Sequence, residues 1–312
     1  MKDIVLLHTD TLFRLEREGG KLSHNTFSLS LDKLQNFKSL TTFAFFIPLF
    51  EKGVKIDPRE KIESMREVQV REFEENKDSL TLIQSLSDYD QNQTNAILSL
   101  EEGAVFEGNP AMVHYYRQWG VQMATLTWNF ENDLAYPTSF NKDLMKLGLK
   151  KKGFEIIEAM EADKMVLDVS HLNDGGISDA LQRAKRPVIA SHSNCRSLCS
   201  HCRNLSDEQI RGIADTGGVV GLNFLPDFVE NSENPRTTYR GLTQHLLHLY
   251  QTGGEDVLAI GSDFDGIEGD FEPADVSQMG EFVHFLQQNT DLSERILDKV
   301  FSRNALRVLF QS

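Results

Sequence analysis

The sequence predicts a single (β/α)8 TIM barrel. Three observations carry this: eight short apolar runs spaced along the chain, helical stretches between them, and no composition shift to mark a domain boundary. The 312 residues fit one such domain, residues 1–312, because single α/β barrels often exceed the usual domain size. A doubly wound open sheet is the alternative. It normally has fewer strands per domain, and no glycine-rich phosphate loop follows the first run.

The runs are Ile4–His8, Thr41–Ile47, Ala96–Glu101, Met123–Trp128, Met165–His171, Pro187–His192, Val219–Phe224 and Val257–Asp263. Most are continuously apolar rather than alternating, as parallel strands buried on both faces are. Pro58–Leu80 reads as a long, charge-laced helix, and Pro110–Trp119 opens with proline at a first helical turn. Ser206-Asp207-Glu208-Gln209 reads as a capping box ahead of Ile210 and Ile213. Thr238–Tyr250 sets Leu242, Leu246, Leu249 and Tyr250 on one stripe, and Leu292–Phe310 supplies a closing helix. Asn231–Thr237 and Glu268–Asp275 read as loops.

Hydrophobic residues make up 40% and charged residues 25%, ordinary values for a globular protein. A net charge of -15, a pI near 5.0 and the lack of a basic patch speak against a nucleic-acid partner. No apolar run reaches membrane-spanning length, since the longest, Leu40 to Phe50, is broken by Thr41, Thr42 and Pro48. The first eight residues turn polar too soon for a signal peptide, and Arg307–Ser312 shows no lipidation signal. Cys195, Cys199 and Cys202 are an odd number in one stretch, a poor disulfide framework that fits a reducing compartment. The expectation is a soluble cytoplasmic protein.

The ends of the runs carry the chemistry. They read His8-Thr9-Asp10, Glu101-Glu102-Gly103, His171, His192 and Asp263-Phe264-Asp265-Gly266. In a barrel these ends form one rim, where active sites sit. Imidazoles and carboxylates converging there suit Zn²⁺ or a similar divalent ion. Each piece has a plainer reading. A His-x-Asp is common, Glu101-Glu102 fits the first turn of a helix, a lone histidine is usually structural, and Asp-Phe-Asp-Gly fits a turn with Gly266 at positive φ. The joint pattern is stronger, because chance would have to place histidine or acid at five of eight ends. The cysteine spacing, Cys-x₃-Cys-x₂-Cys, also matches a [4Fe–4S] site of the radical-SAM type. That motif normally follows the first strand of such folds, and here it follows the sixth run.

Six stretches together resemble the membrane (renal) dipeptidase family, peptidase family M19. They are His8-Thr9-Asp10, Ser99-Leu100-Glu101-Glu102-Gly103, Val169-Ser170-His171, Ser191-His192-Ser193, Cys202-Arg203-Asn204 and Gly261-Ser262-Asp263-Phe264-Asp265-Gly266. The resemblance runs from residue 4 to about 310. It implies an amidohydrolase-type barrel with two Zn²⁺ per chain that hydrolyses short peptides, including those with a C-terminal D-residue, by a hydroxide held between the two ions. It implies His8 and Asp10 on one zinc, His171 and His192 on the other, and Glu101 as the bridge, with Glu102 as the fallback. It further implies Asp263 as acid/base residue, Arg203 on the substrate's carboxylate, and a homodimer. Without a signal or anchor sequence the chain resembles the bacterial, cytoplasmic branch. It departs from the family at Thr125-Leu126-Thr127-Trp128-Asn129, where a substrate-contacting histidine is common. Trp128 cannot accept a hydrogen bond through its ring or shuttle a proton, but Trp128 or Asn129 can donate to an oxyanion. Rival readings are an amidohydrolase on another small amide, with Trp128 reshaping the pocket, and a metal-bound barrel without turnover.

Overall fold

The structure, a computed structural model, describes residues 3–310. All eight runs become strands of one parallel sheet. They are β1 (Asp3–Thr9), β2 (Lys38–Phe46), β3 (Thr94–Glu101), β4 (Val121–Thr125), β5 (Val166–Asp168), β6 (Val188–Ile189), β7 (Val220–Asn223) and β8 (Leu258–Phe264). Their spatial order is β7-β8-β1-β2-β3-β4-β5-β6, with a short accessory strand, Leu80–Leu82, beside β3. A parallel bridge between Ala190 and Val220 joins the two edges and closes the barrel. Gly261 lets β8 pass beneath β6, since a Cβ there would lie 2.3 Å from the Ser191 carbonyl oxygen.

Two packing layers follow from the alternation of side chains along a strand. Ile4, Leu6, Phe43, Phe45, Leu98 and Leu100 face the surrounding helices. Val5, Leu7, Leu40, Ile97, Met123, Val166, Ile189 and Ala259 fill the barrel, where Val308 and Leu309 join them. Further along the same strands the buried residues turn polar: Thr42, Ser99, Thr125, Asp168 and Glu101. The site is built on that polar layer.

Pro58–Glu75, Ala111–Gln118 and Tyr239–Gly253 are helices where their sequences predict them, except that the first stops at Glu75 and the expected end, Leu80, belongs to the accessory strand. The Ser206 capping box forms with Gln209. The closing helix is interrupted by a π turn, Lys299–Arg303, between Glu294–Asp298 and Asn304–Leu309. The two stretches read as loops are not wholly irregular. Arg236–Thr237 and Asp270–Phe271 pair as a two-residue parallel ladder beside the barrel. Such short segments carry no periodicity from which to read a strand. No helix among the described residues is long and apolar enough to cross a membrane.

Candidate active site

His8, Asp10, Glu101, His171, His192 and Asp263 meet at the C-terminal mouth of the barrel, and all six are buried. Two local distortions put them there. Alternation that sends Val5 and Leu7 inward would turn His8 outward, but the pairing register of β1 shifts between His8 and Thr9, and this bulge swings the imidazole in. Asp10 follows outside the strand, with φ -98° and ψ 22°, as the cap of helix Thr11–Glu18. Although Asp10 lies outside the strand, its carboxylate and the His8 imidazole reach the same point. At β8, Ser262, Asp263 and Asp265 sit at φ near 70°, in the left-handed region. Gly266 is not at positive φ. It is glycine because a Cβ there would lie 2.0 Å from Asp10 Oδ2 and 2.9 Å from Asp263 Oδ1.

Glu101 divides its two oxygens. Oε2 lies 3.2 Å from His8 Nε2, and Oε1 lies 3.0 Å from His171 Nε2 and 3.5 Å from His192 Nε2. His8 Nε2 is also 3.3 Å from Asp10 Oδ2 and 3.8 Å from Asp263 Oδ1. Two groups of potential metal ligands result, His8–Glu101–His192 and His8–Asp10–Asp263, each with its donor atoms within 4.8 Å of one another. Glu102 takes no part. A φ of 133° turns it away, and its carboxylate accepts hydrogen bonds from Ala104 N (2.7 Å), Trp128 N (2.9 Å) and Asn132 Nδ2.

His171 and His192 are each held at Nδ1 with Nε2 toward Glu101. Asn129 Oδ1 lies 2.9 Å from His171 Nδ1 and Ser191 Oγ 2.7 Å from His192 Nδ1. Hydrogen bonds at Nδ1 orient the rings, and with a proton there each Nε2 keeps its lone pair. His171 Nε2 and His192 Nε2 are 3.0 Å apart. Burial, with Arg203 beside it, pushes His171 down to about 4, and burial with His8 adjacent pushes His192 well below the ordinary range. Burial works to lower His8 as well, but Glu101 and Asp10 outweigh it and hold that imidazole high. Burial and the neighbouring Glu101 charge raise Asp10 and Asp263. Asp10 Oδ1 is buried without a hydrogen-bond partner. Three carboxylates face one imidazole held high, so potential negative charge outnumbers positive charge in the buried cluster. Divalent cations fit that donor set and that deficit.

The cluster floors a cleft of about 970 Å³. Arg203 stands in it, 7% exposed. Its Nη1 and Nη2 make only long contacts, 3.4 Å each, to Ser193 Oγ and the His192 carbonyl, and its Nε has no partner. Trp128 also lines the cleft, half-buried between Phe46 and His171. The Asn129 amide oxygen is engaged with the His171 ring, which it orients.

Two residues that the sequence does not single out, Asn223 and Asp168, complete the site. Asn223 Nδ2 donates to Asp263 Oδ2 at 2.8 Å. Asp168 Oδ1 accepts from the Ser170 and Ser191 backbone N–H groups at 2.9 and 3.0 Å, tying together the ends of β5 and β6. Asp265 accepts from Thr11 Oγ1 (2.6 Å) and Ser28 N (2.7 Å), so it fastens loops and is not free for chemistry. Only the position of Asn223 at the end of a run could have flagged it. The cysteines form no cluster: Cys195 Sγ donates to the His245 carbonyl and Cys199 Sγ to the Asp227 carbonyl. Burial raises both thiols, so the iron–sulfur reading fails.

Known proteins share this architecture. An uncharacterized protein from the pqqA 5′ region of Klebsiella pneumoniae is 34% identical over 245 residues, which is 74% of this chain and 88% of that protein. The chain spans about half the length of the curated dipeptidase relatives from Schizosaccharomyces pombe and Claviceps purpurea. The solved dipeptidase AC, a metallopeptidase of family M19, superposes with a TM-score of 0.89 at 22% identity, over 99% of this chain and 98% of that one. A metallopeptidase from Rhodobacter sphaeroides, liganded with a phosphinate mimic of L-Ala-D-Ala, superposes with a TM-score of 0.87 at 21% identity, with the same coverage. The family model for membrane dipeptidase matches residues 3–312, and the chain belongs to that family, peptidase family M19.

Proposed function

We propose that the chain is a cytoplasmic, zinc-dependent dipeptidase acting on short peptides with a free C-terminus, including those ending in a D-residue. The observation that carries this is the division of Glu101 between His8 on one side and His171 with His192 on the other. In this reading His8 and Asp10 would hold one divalent ion, His171 and His192 a second, and Glu101 would bridge them. Such cations would supply an activated water at neutral pH and polarisation of a peptide carbonyl.

The chain's own groups supply the rest. Asp263, held by Asn223 at one oxygen, has its other oxygen toward His8. From there it takes a proton from the attacking water and passes it to the leaving amine. Arg203, buried and without an ion-pair partner among the described residues, offers paired N–H groups to the substrate's carboxylate. That anchors a short peptide with its last amide bond over the cluster. Three free thiols fit a reducing compartment. The Rhodobacter relative's L-Ala-D-Ala mimic supports D-residues at the C-terminal position.

Elemental analysis of protein purified without chelator should find about two divalent ions per chain. His8→Ala and His192→Ala should each empty one site preferentially, and L-Ala-D-Ala should be hydrolysed. No divalent metal, with no turnover after adding zinc, manganese or cobalt, overturns the proposal. Unchanged metal content in both variants overturns the ligand assignment. Light scattering tests the homodimer that the family suggests.

A further inference from the structure

The two ends of the cleft differ chemically. Arg203 stands in the loop after β6, with its guanidinium carbon 5.4 Å from the ring of Phe228, in the short helix Pro226–Val229 after β7. The opposite sector carries Phe13 beyond β1, Phe46 at the end of β2 and Trp128 beyond β4, all three half-buried and lining the cleft. Phe46 packs edge-on at 4.8 Å against both Phe13 and Trp128. Phe130 extends the row 5.9 Å beyond Trp128, and Phe50 lies 5.0 Å from Phe130. In the closed order of eight strands, β2 lies across the mouth from β6.

We propose that Phe13, Phe46 and Trp128 form the specificity surface for the side chain of the substrate's N-terminal residue. They select apolar, above all aromatic, side chains. The proposal rests on reading the site as a dipeptidase whose Arg203 takes the carboxylate. A dipeptide anchored there, with its amide over Glu101 and Asp263, runs away from β6. Its N-terminal residue then lies over the β1–β4 sector and meets the row of rings.

The wall is pre-formed. The Trp128 backbone N–H is fixed on Glu102 at 2.9 Å, and the ring is held between Phe46 and His171. A rigid aromatic surface costs little ordering on binding and favours edge-on ring contacts. A charged side chain laid on the rings would lose part of its hydration. The cations beside the wall are already engaged, Arg14 with Glu18, Arg17 with Glu51 and Lys61, 4.8 Å over the Phe13 ring, with Glu16.

The test compares kcat/KM for Gly-, Ala-, Leu-, Phe-, Glu- and Lys-D-Ala on the metal-loaded protein, on Trp128→Ala and on the milder Phe46→Leu. The wild type should favour Phe and Leu, and the Phe-to-Gly ratio should fall about tenfold in Trp128→Ala. No apolar preference, or an unchanged ratio in both variants, overturns the proposal. If the loaded protein hydrolyses no dipeptide, the activity reading fails, and binding then decides the wall. The chain has two tryptophans, so Trp119→Phe leaves Trp128 as the sole indole reporter for phosphinate isosteres of Phe-D-Ala and Gly-D-Ala. Tighter binding of the Phe isostere supports the wall, and equal binding overturns it.

Discussion

Arg203→Met should separate binding from stability. In the free protein Arg203 is a buried cation with two 3.4 Å contacts and an unpartnered Nε. Leaving such a donor unsatisfied costs about 1–3 kcal/mol. Methionine keeps an apolar stem against Phe228 and removes the charge. Replacing a poorly compensated buried charge by an apolar group of similar size is neutral or stabilising, by about 1–3 kcal/mol. Substrate binding goes the other way. Losing a charge-assisted contact to a carboxylate costs about 1.5–3 kcal/mol, or roughly one to two decades in kcat/KM. The loss should appear mainly in KM, because the carboxylate is far from the breaking bond and is held alike in ground and transition states. The assay is steady-state hydrolysis of L-Ala-D-Ala and of its C-terminal amide, with Tm measured on metal-loaded protein, where cations offset the acids that otherwise favour the guanidinium. The amide should be poor for the wild type and lose little more in the variant. An equal loss on both substrates, or a Tm lowered by several degrees, would refute the assignment and make Arg203 structural.

Three further outcomes are expected. Asp263→Asn should keep the metal and the fold but lose most turnover, since asparagine is nearly isosteric and cannot relay a proton; near wild-type rates would move the acid/base role elsewhere. Removing metal with a chelator should lower Tm, because an ion that binds only the folded state adds about 2.7 kcal/mol at a hundred times its Kd; an unchanged Tm in scanning calorimetry would contradict the charge deficit at the cluster. Glu255, paired with Arg295 and Lys299, is held down to about 2 from its ordinary 4.5. A depressed carboxylate stabilises the fold above its unfolded pKa and loses that contribution as pH falls through the folded one. Denaturant titrations should therefore find Glu255→Gln less stable than wild type above about pH 4.5, with the gap closing toward about pH 2.

The barrel was legible because continuous apolar runs report strands buried on both faces, whatever the loops do. The rim was legible for the residues that end those runs: His8, Glu101, His171, His192 and Asp263. What decides between neighbours was not legible. Glu101 and Glu102 are equivalent in the sequence, and only the turn at φ 133° sends the second to Ala104 and Trp128. The tie between Asn223 and Asp263 joins residues 40 positions apart, and that between Thr11 and Asp265 spans 254. No local pattern encodes such distances. The cysteine spacing misleads for the converse reason: closeness in sequence did not bring the sulfurs together.

The unfavourable features of this chain gather at one place. Among the described residues, Glu102, His171, Ser262, Asp263 and Asp265 are five of the eight non-glycine residues at positive φ, and all five lie at the rim. The same rim holds like-charged carboxylates near a single imidazole, the orphaned Asp10 Oδ1 and the unpaired Arg203 Nε. Strain and unmet polar groups of this kind persist only where the surroundings over-determine them. Here a closed barrel with an apolar core beneath does so. The proposed function would answer each defect: divalent cations would meet the carboxylates and the Asp10 oxygen, and a substrate carboxylate would meet Arg203. A structural core would have no reason to leave complementary needs of opposite sign within one cleft, whereas a site that took up cations and an anionic peptide end would require both.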